Sequence, residues 1–308
     1  MSVDLSLDFL GLTFKNPVVL ASGIIGTSAT LLQRAAQCGA GAVTAKSCSL
    51  MPRVGHPNPM AVDWGLGIIN AVGLSNPGIE EERKLLEEAR WLLAPLGVPL
   101  IASIFAATTA EFGEVARQVS LAKPQLIEVN ISCPNVADEF GTPFAATCEN
   151  AAAVTAAVKA ATCIPVSIKL APNVSSIGRI AAAVVEAGAD AITAINTMPG
   201  MVINAEAGKP VLSNKMGGIS GPALKPIALR CVAEIARSVR VPIIGTGGVT
   251  TGTDAAEMIM AGAAAVGVGS AVWYRGVETL GKINEELAAF MEKQHFSRLS
   301  EFRGAALK

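Results

Sequence analysis

Little in this chain is aromatic or charged. Aromatic residues make up 4% and charged residues 16% of 308 positions, with two histidines, one tyrosine and a net charge of −1. So nearly neutral a chain has no electrostatic case for nucleic acid or another polyanionic surface. The six cysteines, Cys38, Cys48, Cys133, Cys148, Cys163 and Cys231, include no Cys-x-x-Cys pair. With only two histidines beside them, a zinc or iron–sulfur site within the chain is not expected. A reducing cytoplasm is the natural setting. Met1 to Lys15 carries Asp4 and Asp8 and no basic n-region, so it does not read as a signal peptide. The uncharged run Met258–Tyr274 is short for a membrane span and is broken by Gly262, Gly267 and Gly269. Helix end, turn and strand fit it better. No Gly-x-Gly-x-x-Gly fingerprint follows the first candidate strand. The lack of an acidic cluster argues against Mg²⁺ chemistry.

What is present is small and aliphatic. Hydrophobic residues reach 51%, with 30 glycines, which suits helices packed closely on a buried parallel sheet. Short β-branched runs alternate with alanine-rich stretches. Strands are predicted at Pro17–Gly23, Ala42–Ser47, Pro99–Ile104, Leu126–Ile131, Val166–Leu170, Ala191–Asn196, Pro242–Gly248 and Ala265–Ala271. Helices are predicted at Ala29–Cys38, Ile79–Leu93, Ala110–Leu121, Asn150–Ala161, Ser176–Ala187, Ala223–Ser238, Thr253–Ala261 and Gly276–Glu292. Gly39, Gly188 and Gly262 read as helix stops. Eight strand–helix units read as one α/β domain over residues 1–308, a parallel (β/α)8 TIM barrel. A doubly wound open sheet usually needs fewer units. Two loops, Leu50–Gly78 and Thr197–Pro222, exceed plain connections and project from the face where such barrels carry function.

The stretch Glu128-Val129-Asn130-Ile131-Ser132-Cys133-Pro134-Asn135 leaves a buried strand and sets a thiol between two amides. That pattern suits a polar planar ligand and the movement of one proton; a buried structural cysteine is the bland alternative. Other strand ends supply Ser22, Lys46, Ser47, Lys169, Asn196 and Thr197. A lysine inside an apolar strand costs free energy unless its ammonium reaches an acceptor. Two of them, Lys46 and Lys169, read as facing a bound ligand. Gly245-Thr246-Gly247-Gly248 and Gly267-Val268-Gly269-Ser270 end the last two strands, where barrels commonly hold a phosphate on backbone N–H groups. Three classes fit these residues: a flavin oxidoreductase, a lysine Schiff-base aldolase, and a non-catalytic phosphate or flavin binder. Composition and spacing leave all three open.

A family resemblance narrows them. Its carriers run nearly end to end: Asn16-Pro17, Ala21-Ser22-Gly23, Lys46, Pro52 through Pro59, Asn70 through Gly78 and Asn130 through Asn135. They continue with Val166 through Leu170, Ile195-Asn196-Thr197, Gly217 through Ala223, Gly247-Gly248 and Gly269-Ser270. In this order and spacing the chain resembles the catalytic subunit of class 1 dihydroorotate dehydrogenases, most closely the two-subunit 1B branch.

The resemblance implies FMN as cofactor and oxidation of dihydroorotate to orotate in pyrimidine biosynthesis. It puts the phosphate on Gly221, Gly247, Gly248, Gly269 and Ser270, with Ala21, Ser22, Lys46, Ser47, Ser103, Asn130, Lys169 and Ile195 completing the cofactor site. It implies that Cys133 removes the C5 proton while a hydride leaves C6 for the flavin. A free thiol has a pKa near 8.5, so this base needs partial ionisation or a relay. Lys46, Asn70, Ala71, Val72, Gly73, Leu74, Asn130, Asn135, Asn196 and Thr197 are implied to hold the substrate. A homodimer is implied, and a second subunit carrying FAD and a [2Fe–2S] cluster that passes electrons to NAD⁺; fumarate is the acceptor in the 1A branch. Two departures stand out: Ser103, where many relatives have an amide, and the loop Val136–Gly141, where relatives more often have adjacent glycines. Close cousins reduce uracil or thymine on the same barrel.

Overall fold

The computed structural model describes residues 3–132 and 144–308. Eight parallel strands close into a barrel: Val18–Leu20, Ala42–Thr44, Leu100–Ile104, Leu126–Asn130, Val166–Leu170, Ala191–Ala194, Ile243–Thr246 and Ala265–Val268. They pair in chain order, and the eighth closes on the first with Val266 beside Val18. The (β/α)8 expectation holds. Most strands stop before their predicted ends, because the polar residues there leave the ladder to line the barrel mouth.

Helices separate the strands and pack around them in one continuous core. Ser28, Thr108, Thr147, Ser176 and Thr251 each accept a hydrogen bond from the backbone N–H three residues on. Each such cap contributes about 1 kcal/mol. Thr251 forms a full capping box with Asp254. Gly39, Gly188 and Gly262 all have positive φ at helix ends, as read from the sequence. The last predicted helix, Gly276–Glu292, is found as Thr279–Lys293, and a short helix that the sequence reading does not assign, Ala271–Arg275, precedes it, with Gly276 between them at φ 75°.

Two antiparallel additions cover the ends of the barrel. A hairpin, Leu7–Phe9 with Leu12–Phe14, closes the lower end. Phe9 and Phe14 are fully buried, stack with centroids 5.1 Å apart, and pack on Val19, Ile101, Leu126 and Ile244. At the mouth the two long loops build a four-stranded sheet in the order Met198–Gly200, Gly217–Ser220, Ile68–Asn70, Ala61–Asp63. One face of it holds a small core of Ile69, Ala71 and Leu212.

Side chains alternate along a strand, so every second residue points inward. Ile101 pairs with Leu126 in the bottom layer, and Ser103 pairs with Glu128 two residues higher. Asn130 stands above Glu128, beside Lys169. The interior therefore passes from apolar to polar on the way up. Among the described residues, no helix is long and apolar enough to cross a membrane.

Candidate active site

The polar upper layer opens into a cavity of about 330 Å³, within the usual range for a cofactor or small ligand. Its walls differ. The ends of the first, second, fourth and fifth strands contribute side chains: Ser22, Lys46, Ser47, Asn130 and Lys169. Past the sixth strand Ile195, Asn196 and Thr197 continue the wall. The opposite side is backbone: Gly221, Gly247, Gly248, Gly269 and Ser270, with Ala21 nearby. The mouth sheet lies over both. Ile68 and Asn70 face the cavity, followed by Val72, Gly73 and Leu74.

Two residues expected to contact ligand stand back from the wall. Ala71 follows inward-facing Asn70 and points to the other side, fully buried in the small core, with its N–H donated to the Met60 carbonyl at 2.7 Å. Ser103 is one layer below the cavity and 1% exposed. Its hydroxyl meets Ser47 Oγ at 2.8 Å and donates to Glu128 Oε1 at 3.5 Å. It supports the wall through Ser47. Cys133 and Asn135 lie outside the described residues.

The lysines have different surroundings. Lys169 is 7% exposed, and its ammonium donates to Glu128 Oε1 at 3.3 Å. The acceptor that a buried lysine requires is thus supplied by the chain itself, and the same ammonium still borders the cavity. Lys46 lies over Gly23, where a Cβ would stand 4.0 Å from Nζ. Behind it is Glu82, 1% exposed, with Oε1 engaged by no hydrogen bond among the described residues. Burial pushes the Glu82 carboxyl up to about 7, against the pull of the Lys46 charge. Burial, and then the Glu82 charge, push the neighbouring Cys48 thiol up.

The amides form a clamp. Asn196 Nδ2 donates to Ser132 Oγ at 3.0 Å, to the Ser132 carbonyl at 3.2 Å and to Asn130 Oδ1 at 3.4 Å. Asn130 Oδ1 also accepts from Ser132 Oγ and N. This ties the sixth strand to the last described residue before Cys133.

On the backbone side, Gly247 and Gly248 are consecutive residues with φ of 134° and 74°. A Cβ on Gly248 would stand 2.6 Å from Lys225 Cβ, so only glycine fits there. None of the N–H groups of Gly247, Gly248, Gly269 and Ser270 donates to another described backbone carbonyl. Beside them the buried Thr246 Oγ1 has no partner among the described residues and borders the cavity. Free donors in a tight glycine cradle suit a phosphate. The polar layer at the other end suits a planar heterocycle. The residues therefore fit FMN. Sequence reasoning did not assign Glu128, Thr246 or Trp273. Thr246 lies inside the glycine turn that drew attention for its glycines, and Trp273 follows the last turn by three residues.

Comparison with known proteins agrees over nearly the whole chain. The family model for dihydroorotate dehydrogenase matches residues 4–291. A dihydroorotate dehydrogenase B (NAD(+)) catalytic subunit of Methanothermobacter thermautotrophicus is 44% identical, with 98% of each chain covered. The like-named subunit of Methanosarcina mazei is 44% identical over 96% of this chain and 93% of its own. That of Pyrococcus abyssi is 42% identical over 99% of both. The chain belongs to the dihydroorotate dehydrogenase family.

Proposed function

We propose that this protein oxidises dihydroorotate to orotate with bound FMN. The observation that carries the reading is one cavity with a glycine cradle at one end and paired polar side chains at the other. Gly221, Gly247, Gly248, Gly269 and Ser270 would hold the phosphate, and Lys169, Ser47 and Asn130 would border the ring system. FMN, when bound, supplies the two-electron acceptor for the hydride that the substrate gives up. Lys46 offers the substrate carboxylate a cation, which favours a carboxylated pyrimidine over uracil or thymine. Asn70, Asn130, Asn135, Asn196 and Thr197 match the amides and carbonyls of its ring. Val72, Gly73 and Leu74 border the substrate from the mouth sheet. Cys133 Sγ takes the proton from the ring methylene. Asn196, by holding Ser132, fixes the root of the segment that carries this thiol.

The test is anaerobic. Dihydroorotate should bleach the flavin of the yellow protein, and Cys133→Ala should keep FMN while losing about 10²–10⁴-fold in reduction rate. Turnover of uracil or thymine in place of dihydroorotate would move the assignment to a pyrimidine reductase. A protein that takes up no flavin would sink the enzyme reading altogether.

We further infer a homodimer that pairs with an FAD and iron–sulfur subunit and delivers electrons to NAD⁺. The relatives are named as catalytic subunits of an NAD(+)-linked enzyme, and this chain has neither a dinucleotide fingerprint nor cluster-type cysteine spacing. Trp273 borders the cavity and is 58% exposed, so it offers a partner an apolar contact close to the cofactor. Rapid reoxidation of substrate-reduced protein by fumarate alone would defeat this inference. Reduction of NAD⁺ only after an iron–sulfur flavoprotein is added would support it.

A further inference from the structure

Glu128 is a charged group on the inward face of the fourth strand that does not border the cavity and is 3% exposed. Two donors converge on its Oε1: Lys169 Nζ at 3.3 Å and Ser103 Oγ at 3.5 Å. An ionised carboxylate only accepts hydrogen bonds, and that fixes the direction of everything attached to it. Since the Ser103 proton goes to Glu128, the 2.8 Å contact between Ser103 and Ser47 takes the Ser47 proton. Ser47 is left with lone pairs for its other neighbours. One is Asn130 Nδ2, which donates to it at 3.5 Å. The other is Ser22 Oγ, whose own proton goes to the Ala45 carbonyl at 2.8 Å. No proton then remains for the Ser22–Ser47 contact, and it is long, at 3.4 Å. With Nδ2 turned to Ser47, Asn130 keeps Oδ1 towards Ser132 and Asn196.

We propose that Glu128 is a positioning residue for the cofactor and substrate site, acting through two arms. One arm fixes the Lys169 ammonium and balances its charge beneath the cavity. The other, through Ser103 and Ser47, sets which way the Asn130 amide faces. A merely structural ion pair would neutralise Lys169 and leave the hydroxyl chain without consequence. The inference rests on the FMN reading above for one of its two measurements.

The experiment compares wild type with Glu128→Gln, Glu128→Asp and Ser103→Ala. It measures the two-electron midpoint potential of bound FMN and the affinity for orotate, an anionic pyrimidine. Glu128→Gln keeps the volume and removes the balancing anion, so the site should favour added negative charge. The reduced-to-oxidised ratio should rise about tenfold, which is about 30 mV for two electrons. Glu128→Asp should bring the potential back towards wild type. Ser103→Ala leaves the ion pair intact and cuts only the second arm, so orotate should bind about tenfold more weakly at unchanged potential. A folded Glu128→Gln variant with wild-type potential would overturn the first arm, and Ser103→Ala with wild-type orotate affinity would overturn the second. If Glu128→Gln does not fold, Ser103→Ala decides the second arm and Glu128→Asp the first: its shorter carboxylate stands further from Lys169, so the potential should stay measurably above wild type, and a wild-type potential in it would overturn that arm. If wild type itself takes up no FMN, the FMN reading fails separately. Calorimetric orotate binding to the flavin-free proteins then carries the test.

Discussion

The two ends of the barrel are covered by the same kind of element and used in opposite ways. Below, the hairpin presses Phe9 and Phe14 onto a layer of Val19, Ile101, Leu126 and Ile244. Above, the sheet built by the two long loops turns Ile69 and Ala71 into a separate small core and stands clear of the barrel, so that a cavity remains beneath it. Aromatic volume fills the lower end. At the mouth, glycine and small hydroxyls stand where bulk would be expected. Two of the chain's nine phenylalanines form this plug, so part of the buried aromatic volume sits at the end away from the cavity. Large-to-small changes should therefore damage the lower end thermodynamically and the upper end functionally.

The largest test of that contrast is Phe9→Ala. Removing a fully buried ring from the plug should cost about 3–5 kcal/mol. Denaturant titration should show the loss, while flavin affinity in the remaining folded protein stays at the wild-type value. An equal loss of flavin affinity would mean that the two ends are mechanically coupled.

The next pair lies in the glycine cradle. Gly248→Ala forces an L-residue to φ 74°, about 1–2 kcal/mol on conformation alone. Its Cβ also meets Lys225, so both stability and flavin affinity should fall. At Gly269 a new Cβ has only Ala21 Cβ, at 3.7 Å, within contact range. Gly269→Ala should leave stability within about 0.5 kcal/mol and weaken flavin binding about tenfold or more, because the space it fills borders the ligand's. Unchanged flavin affinity in Gly269→Ala would show that this turn only shapes the chain.

How much of this was legible in the sequence follows the same division. The barrel was readable because strand and helix alternate in local patterns, and Val166–Leu170 and Ile79–Leu93 match their expected bounds residue for residue. The plug was not, since Leu7–Phe9 and Leu12–Phe14 are three-residue strands whose meaning comes only from the open barrel end they meet. The cavity wall was legible at Lys46, Asn130, Lys169 and the glycine turns, where a residue type is out of place in its surroundings. Glu128 was equally out of place, an acid in the apolar run Leu126–Ile131. Reading the buried lysines as facing a bound ligand leaves this acid without a role. Ser103 and Ala71 came from the resemblance, which carries position along the chain and not the direction of a side chain.

The smallest effect concerns Glu82, which belongs to neither end and stands behind Lys46. Its carboxyl titrates at about 7 in the folded protein against an ordinary 4.5, because burial disfavours the charged form more than Lys46 favours it. A raised carboxyl pKa means that the folded state holds a proton that the unfolded state gives up. Between pH 4.5 and 7 the unfolded chain ionises first, so this group subtracts stability as pH rises through that window, and the penalty is constant above it. The shift caps the penalty at about 3 kcal/mol. Glutamine removes the titration but still buries an amide with an unpartnered oxygen, so the net gain for Glu82→Gln should be about 1 kcal/mol above pH 7. Below pH 4.5, where neither side chain is charged, the cost of the buried amide is left uncompensated, and the variant should be less stable than wild type by about 2 kcal/mol. Melting temperatures across this range, with flavin bound, check the sign: a variant less stable than wild type at pH 8 would mean that Glu82 is ionised and held by Lys46, and that the acid belongs to the electrostatics of the site.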